Sequence, residues 1–254
     1  MNKRGNFFEE IVKQLGDTNP SFNILENKVD IELQTEYFDF ISKNKKLKSE
    51  DVEQDIEILF TESTEIEELK TTLVKLAAID DVRAFRAIEK FSKNKEHELS
   101  DWAILALHES RMLVESSLTN GNTVFISTGM GGLGNKLRYF CVFPANTGLN
   151  LSDFHNSIIK KELQFSFGKN ESELEEIEFF DTFITFICLI PITVSLQSVF
   201  NKIIEDCNQF GEFLSYEFIV SNVKKMAEQE IRTFLETGTG LPGEDMDEII
   251  TESE

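Results

Sequence analysis

The sequence predicts an α+β protein, with an N-terminal helical region packed on a C-terminal mixed or antiparallel sheet that carries its own helices. Through about residue 118, apolar residues recur at helical spacing. Beyond residue 119, runs rich in β-branched and aromatic residues alternate with helical segments in the order β-β-α-β-α-β-α. We therefore divide the chain into a helical region (1–118), an α+β domain (119–236) and an acidic flexible tail (237–254).

The helices of the first region are predicted from their start signals and apolar faces. A first helix is expected over residues 7–15, ended by Gly16. Residues 64–67, Thr-Glu-Ile-Glu, have the spacing of a capping box and predict a helix start. Another helix is expected after Asp80, and Ser100 is a cap candidate for a further helix with Trp102 on its broad apolar face.

One part of this region resembles a known repeat. The segments LAAIDDVRAFRAIEKF and SDWAILALHESRML, within residues 69–118, are similar to one HEAT-type helical repeat, with Asp81 and Arg83 at the turn between its helices. Further copies of the repeat are not visible in the sequence. A stacked solenoid needs roughly three repeats for stability. The resemblance therefore implies that this unit is stabilised by packing against another part of the chain, most simply the second half.

The second region begins with two predicted strands, residues 124–127 and 137–143, which bracket a glycine-rich turn and are expected to form an antiparallel hairpin. A helix should open after Asn150 or Ser152 and run to about Phe165. Residues 177–194 predict one long strand near the centre of the sheet. The remaining expected elements are a helix over 196–210, a strand over 213–220 and a helix over 223–235.

The charge of the chain indicates what kind of partner it can bind. The net charge is −21. Three stretches carry acids and no base: eight acids in residues 51–68, six in 171–181 and six in 243–254. Such a field repels nucleic-acid phosphates and anionic membranes, so we expect neither direct nucleic-acid binding nor membrane binding. It favours a basic protein partner, for instance a ribosome-associated or nucleic-acid-handling protein; the alternative is that the acids only maintain solubility.

The tail is the first candidate for contact with such a partner. Its apolar residues alternate with acids, and two adjacent isoleucines would be unusual in a purely solvating segment. The alternative is a disordered solubilising end. The candidate partner-binding residues are Glu244, Asp245, Asp247, Glu248, Ile249 and Ile250.

A glycine-rich segment is the one candidate ligand site. Residues 129–134 match G-x-G-x-x-G, but a strand follows them, whereas a dinucleotide site needs a helix. A flexible hairpin over residues 129–138 could still hold a phosphate or nucleotide with its backbone amides and two cations. The alternative is a hairpin tip that needs positive φ angles. The candidate ligand-binding residues are Gly129, Gly131, Gly132, Gly134, Lys136 and Arg138.

Catalytic and metal-binding patterns do not emerge from the sequence. Three scattered cysteines indicate reduced, buried thiols in a cytoplasmic protein, and three histidines form no ligand cluster, so we predict no cofactor and no metal. We expect His108 and Glu109 to lie on a polar helix face and His155 to face solvent. The sequence thus favours a non-enzymatic adaptor or regulator. The alternative is a phosphate- or nucleotide-binding α+β domain, with or without enzymatic activity. The oligomeric state stays open.

Overall fold

A computed structural model describes residues 21–44, 47–119 and 123–238, and it confirms the mixed α+β class. The chain forms two compact units, whose described parts are residues 21–127 and 128–238. The predicted helix over residues 7–15 and the tail from 239 onward lie outside the described residues. The units divide after residue 127, whereas the sequence placed the division after 118. The reason is that the first strand after the helices belongs to the helical unit.

The helical unit combines five described helices with two short strands. Strands β1 (Ser21–Ile24) and β2 (Thr123–Ile126) pair in parallel, with Phe22 opposite Val124. The helices are α1 (Ile31–Lys43), α2 (Val52–Leu59), α3 (Ile66–Ala77), α4 (Val82–Ser92) and α5 (Ser100–Thr119). Their apolar faces meet around the fully buried Trp102 and Tyr37, whose rings stand edge to face at 4.9 Å. The predicted helices α3, α4 and α5 are confirmed.

Two local predictions in this unit are wrong. Residues 124–127 do not pair with 137–143, because β2 pairs with β1, a strand about a hundred residues earlier that the sequence did not predict. The capping box at residues 64–67 is also absent. Glu65 is the N-cap of α3 without a side-chain cap bond, and the Thr64 hydroxyl donates to the carbonyl of Ile58 instead, at 2.9 Å. The hydroxyl thus forms a hydrogen bond across the α2–α3 connection and does not cap α3.

The second unit is built on an antiparallel sheet. Its strands are β3 (Gly132–Leu133), β4 (Lys136–Pro144), β5 (Glu173–Phe179), β6 (Phe183–Pro191) and β7 (Ile219–Ser221), and its described helices are α6 (Asp153–Lys169), α7 (Leu196–Asn208) and α8 (Glu228–Thr237). The sheet order is β3-β4-β6-β5, and β7 pairs with β4 beside β3. The long pairing of β4 with β6, in register from Lys136 opposite Pro191 to Pro144 opposite Phe183, forms the centre of the sheet.

Both faces of the central strands, β4 and β6, are buried over most of their length. On one face Phe143 and Phe186 pack with Phe200 of α7, and α6 completes the same core. On the other face, where alternate residues of β4 point, Phe140 packs in a smaller core with Ile231 of α8. The order of strands and helices in the sequence does not predict this second layer.

The boundaries of three predicted elements also change. The predicted long strand of residues 177–194 is two antiparallel strands, β5 and β6, joined by a turn in which the Phe180 amide donates to the carbonyl of Phe183. Four of the seven residues of β5 are glutamate, which is depleted in strands, so β5 is poorly signalled in the sequence. The predicted strand of 213–220 shortens to β7, and the last helix begins at Glu228, not at 223.

Candidate functional site

The glycine-rich segment of residues 128–134 is anchored to the second unit along its length. The Met130 amide donates to the carbonyl of Asn222 at 2.9 Å, and the Met130 side chain is buried in the smaller core. Gly129 lies so close to the next segment that an added Cβ would stand 2.0 Å from the carbonyl oxygen of Val223. Gly131 has a φ of 67°, a left-handed conformation that favours glycine. Close approach and turn geometry therefore account for these two glycines.

The remaining predicted ligand residues lie at the start of the β3–β4 hairpin. Gly132 pairs with Leu137 in the ladder, and Gly134 occupies the turn with a φ of 60°. Arg138 makes a two-pronged ion pair with Glu175 of β5, through Nε at 2.6 Å and Nη2 at 2.9 Å. Its Nη1 donates to the carbonyl of Met130 at 3.0 Å. The structure thus brings the predicted residues together.

The two cations of this hairpin already have carboxylate partners. Lys136 pairs with Glu173, and both cationic side chains are largely buried, with 19% and 14% of Lys136 and Arg138 exposed. The amides of Met130, Gly131 and Arg138 donate to backbone carbonyls. An anion bound here would have to displace these carboxylates from Lys136 and Arg138. The geometry is that of a structural clamp, in which Arg138 ties the glycine segment to β5.

The acid-only stretch of residues 171–181 is largely neutralised within its own unit. Glu173 and Glu175 pair with β4 as described above. Lys225 contacts Glu178 at 3.0 Å and Glu176 at 3.3 Å, and Arg232 of α8 pairs with Asp181 at 2.9 Å. The Arg232 guanidinium holds the pKa of the Asp181 carboxyl below its usual range. Cations distant in sequence therefore converge on this stretch, and most of its carboxylates are engaged within their own unit.

The acid-only stretch of residues 51–68 behaves differently. Three of its acids have partners in the helical unit: Glu53 with Arg83, Asp55 with Lys75 and Glu67 with Lys70. Four others surround the α2–α3 connection, are exposed, and form no ion pair within the described part of the chain. We call this surface the acidic turn. It consists of Glu57, Glu62, Glu65 and Glu68.

An exposed aromatic ring stands within the acidic turn. Phe60, the C-cap of α2, is 42% exposed. The ammonium group of Lys90 lies 4.6 Å from the centre of its ring, and Phe91 borders it at 6.4 Å. The surface therefore combines unpaired negative charge with one apolar side chain held in place by α4.

A buried polar cluster in α5 is a feature that the sequence reading missed. His108 and Glu109 do not form a polar surface: His108 is 6% exposed and lies 4.4 Å from the ring of Phe125, and Glu109 accepts a 2.6 Å hydrogen bond from the Tyr37 hydroxyl. Burial lowers the pKa of His108 to about 4 and raises the pKa of Glu109. The signal lay in apolar residues at helical spacing from this pair, such as Leu105 and Met112.

The other titratable groups offer little chemistry. His155 does not face solvent freely: it caps α6 with Ser152, and its ring stacks on Phe213 at 4.4 Å. All three cysteines are buried and free, and burial raises the pKa of the Cys207 thiol to about 12. Within the described residues, His, Cys, Asp and Glu side chains form no group of three that could hold a metal ion. No described helix is both long enough and apolar enough to cross a membrane.

The predicted partner-binding residues of the tail lie outside the described residues: Glu244, Asp245, Asp247, Glu248, Ile249 and Ile250. Comparison of the sequence with protein-family models and with curated proteins finds no match. The functional argument therefore depends on the charges, contacts and exposure of this chain itself.

Proposed function

We propose that the protein is a non-enzymatic adaptor or regulator that binds a basic protein partner, and that it contacts this partner through the acidic turn. The observation that carries the proposal is the contrast between the two acid-rich stretches described above. Residues 171–181 are matched by cations of their own unit, whereas Glu57, Glu62, Glu65 and Glu68 are exposed and unpaired in the described part of the chain.

Grouping four carboxylates on one connection destabilises the free protein through mutual repulsion, and a cationic partner relieves that repulsion. Exposed charges of this kind act mainly on the association rate, and salt screens them beyond a Debye length of ~8 Å at physiological ionic strength. Phe60 supplies an apolar contact beside the charges, and aromatic residues are enriched at protein interfaces. The same negative field disfavours nucleic acid as the direct ligand.

The resemblance of residues 69–118 to a HEAT-type repeat is part of this proposal, since it assigns the helical unit to a class of interaction scaffolds. It is supported by the position of Asp81, which caps α4 and pairs with Arg83 at 2.8 Å, at the turn between α3 and α4. Arg83 also contacts Glu53 of α2 at 3.2 Å. This turn therefore links three successive helices.

The alternative of a phosphate or nucleotide site in the β3–β4 hairpin is disfavoured by the ion pairs of Lys136 and Arg138. A thermal-shift assay with inorganic phosphate and with ATP tests it directly. A bound ligand at a hundredfold excess over its Kd stabilises by ~2.7 kcal/mol, which a melting curve resolves. We expect neither compound to raise the melting temperature.

The proposal is tested by capturing partners from a lysate on the immobilised full-length protein across a salt series. The variant carries glutamine at all four positions of the acidic turn. A matched control removes the same number of exposed negative charges elsewhere in the helical unit, with Asp39→Asn, Glu50→Gln, Glu96→Gln and Glu98→Gln. We expect the acidic-turn variant to lose a basic partner that the wild type and the control retain at low salt.

Equal capture by the acidic-turn variant and its control would contradict the proposal. A truncated form, ending at residue 242, separates the contribution of the tail. If the tail contributes, its removal should weaken capture, and Ile249→Ser with Ile250→Ser should weaken it at high salt as well. Tight binding of RNA or DNA to the purified protein would overturn the charge argument.

A further inference from the structure

One end of the second unit exposes four large apolar side chains. Leu149, Phe154, Phe210 and Tyr216 are 42%, 62%, 58% and 57% exposed. Isolated exposed apolar residues are ordinary, but groups of them mark interaction surfaces. We call these four residues the aromatic end.

The segments that carry the aromatic end are joined by backbone contacts. The Asn146 amide donates to the carbonyl of Phe213 at 2.9 Å, and its side chain donates to the carbonyl of Glu212 at 2.8 Å. The residue after Phe154, His155, stacks on the buried ring of Phe213. The loop after β4, the start of α6 and the loop after α7 are therefore fixed to one another. A surface that is already ordered loses little entropy when it binds.

The charges around the aromatic end have one sign. Residues 139–159 and 203–223 contain no lysine or arginine. Asp153, Glu212 and Glu217 lie beside the apolar residues in sequence, are exposed, and make no ion pair among the described residues. An apolar centre with an acidic rim is complementary to an apolar side chain flanked by cations.

We propose that the aromatic end docks a basic protein segment that inserts apolar side chains between Phe154 and Tyr216 and sets lysine or arginine against Asp153, Glu212 and Glu217. The inference rests on the proposed function, because it assigns a second, apolar contact to the same class of partner. The acidic rim opposes the other occupants. A second copy would bring the same acids face to face, and residues 243–254 of the chain itself carry acids and no base.

The test uses two labelled synthetic peptides and the full-length protein, with binding measured by fluorescence anisotropy at physiological and at high salt. One peptide is an amphipathic helix of leucine and lysine, and the other has serine in place of each leucine and the same charge. The variant is Phe154→Ser with Tyr216→Ser. The matched control is Phe165→Ser, which removes a 58% exposed phenylalanine from the same helix, α6, outside the aromatic end. Melting curves establish that all forms are folded.

We expect the leucine-lysine peptide to bind the wild type and the control equally, and the double variant at least about tenfold more weakly, as expected when aromatic anchors are removed. The serine-lysine peptide should bind weakly to all forms and lose its binding at high salt. Equal affinity of the double variant and the wild type for the leucine-lysine peptide would overturn the inference, and so would equal affinity of the two peptides for the wild type. Dimerisation of the wild type that the double variant abolishes would overturn it in favour of a second copy.

The acidic-turn variant distinguishes a failure of this inference from a failure of the proposed function. If that variant loses its lysate partner while the double variant binds the peptide like the wild type, the aromatic end is excluded and the acidic turn stands. If the double variant loses the peptide while the acidic-turn variant keeps its partner, the inference stands and the acidic turn is excluded.

Discussion

Replacing Trp102 tests whether the helical unit is organised around one aromatic centre. Trp102, on α5, is 1% exposed. Its ring stands edge to face with Tyr37 at 4.9 Å and with Phe40 at 5.6 Å, both on α1, and the ammonium group of Lys70 on α3 lies 4.9 Å from its centre. The Trp102→Ala change therefore removes contacts that join three helices.

The expected loss follows from these contacts. A buried tryptophan or phenylalanine truncated to alanine costs ~3–5 kcal/mol, and each aromatic pair contributes ~0.5–1.5 kcal/mol of this beyond its buried area. The whole free energy of unfolding of a domain is ~5–15 kcal/mol. Trp102→Phe should cost at most ~1.5 kcal/mol, because the phenyl ring still fills most of the site of the indole ring. The change also removes a buried indole N–H, and leaving such a group without a partner costs the folded protein ~1–3 kcal/mol. That N–H has no hydrogen-bond partner among the described residues.

The measurement is urea unfolding of the full chain followed by far-UV circular dichroism. Tryptophan fluorescence cannot be used to compare the wild type with these variants, since Trp102 is the only tryptophan. A midpoint that falls strongly for Trp102→Ala and little for Trp102→Phe, at an unchanged slope, supports the argument. A loss below ~1 kcal/mol for Trp102→Ala would refute it, since truncating a buried tryptophan to alanine costs ~3–5 kcal/mol.

Three other perturbations have defined outcomes. Burial sets the pKa of folded His108 at about 4, against ~6.5 in the unfolded chain. The contribution of His108 to the free energy of unfolding should therefore be fully present above pH ~6.5, and the free energy should fall by ~3 kcal/mol toward pH 4. Urea titrations across that range should show a smaller fall for His108→Leu. Tyr37→Phe leaves the half-buried Glu109 carboxylate without its hydrogen bond and should cost ~1–3 kcal/mol, whereas adding Glu109→Gln should restore part of that loss in the same assay. Gly129→Ala should destabilise by ~1–3 kcal/mol or more because its Cβ has no room, whereas Gly168→Ala, in open space on α6, should stabilise by ~0.5–1 kcal/mol in melting curves.

The sequence by itself determined the elements whose signals are local. The starts of α4 and α6 were predicted near Asp81 and Ser152, whose side chains accept amide hydrogen bonds in the structure. The central strands and the burial of Trp102 followed from apolar patterning. These features depend on residues within a few positions of one another, so propensity and periodicity suffice to identify them.

The tertiary structure alone decided which distant segments meet. The pairing of β1 with β2, the cations that converge on residues 171–181, and the Tyr37–Glu109 hydrogen bond all join residues far apart in sequence. Composition identified three acidic stretches without distinguishing them, because an ion pair depends on a distance of a few ångströms and not on local charge density. Only the folded chain separates the acids of β5, which form ion pairs within their own unit, from those of the acidic turn, which remain exposed.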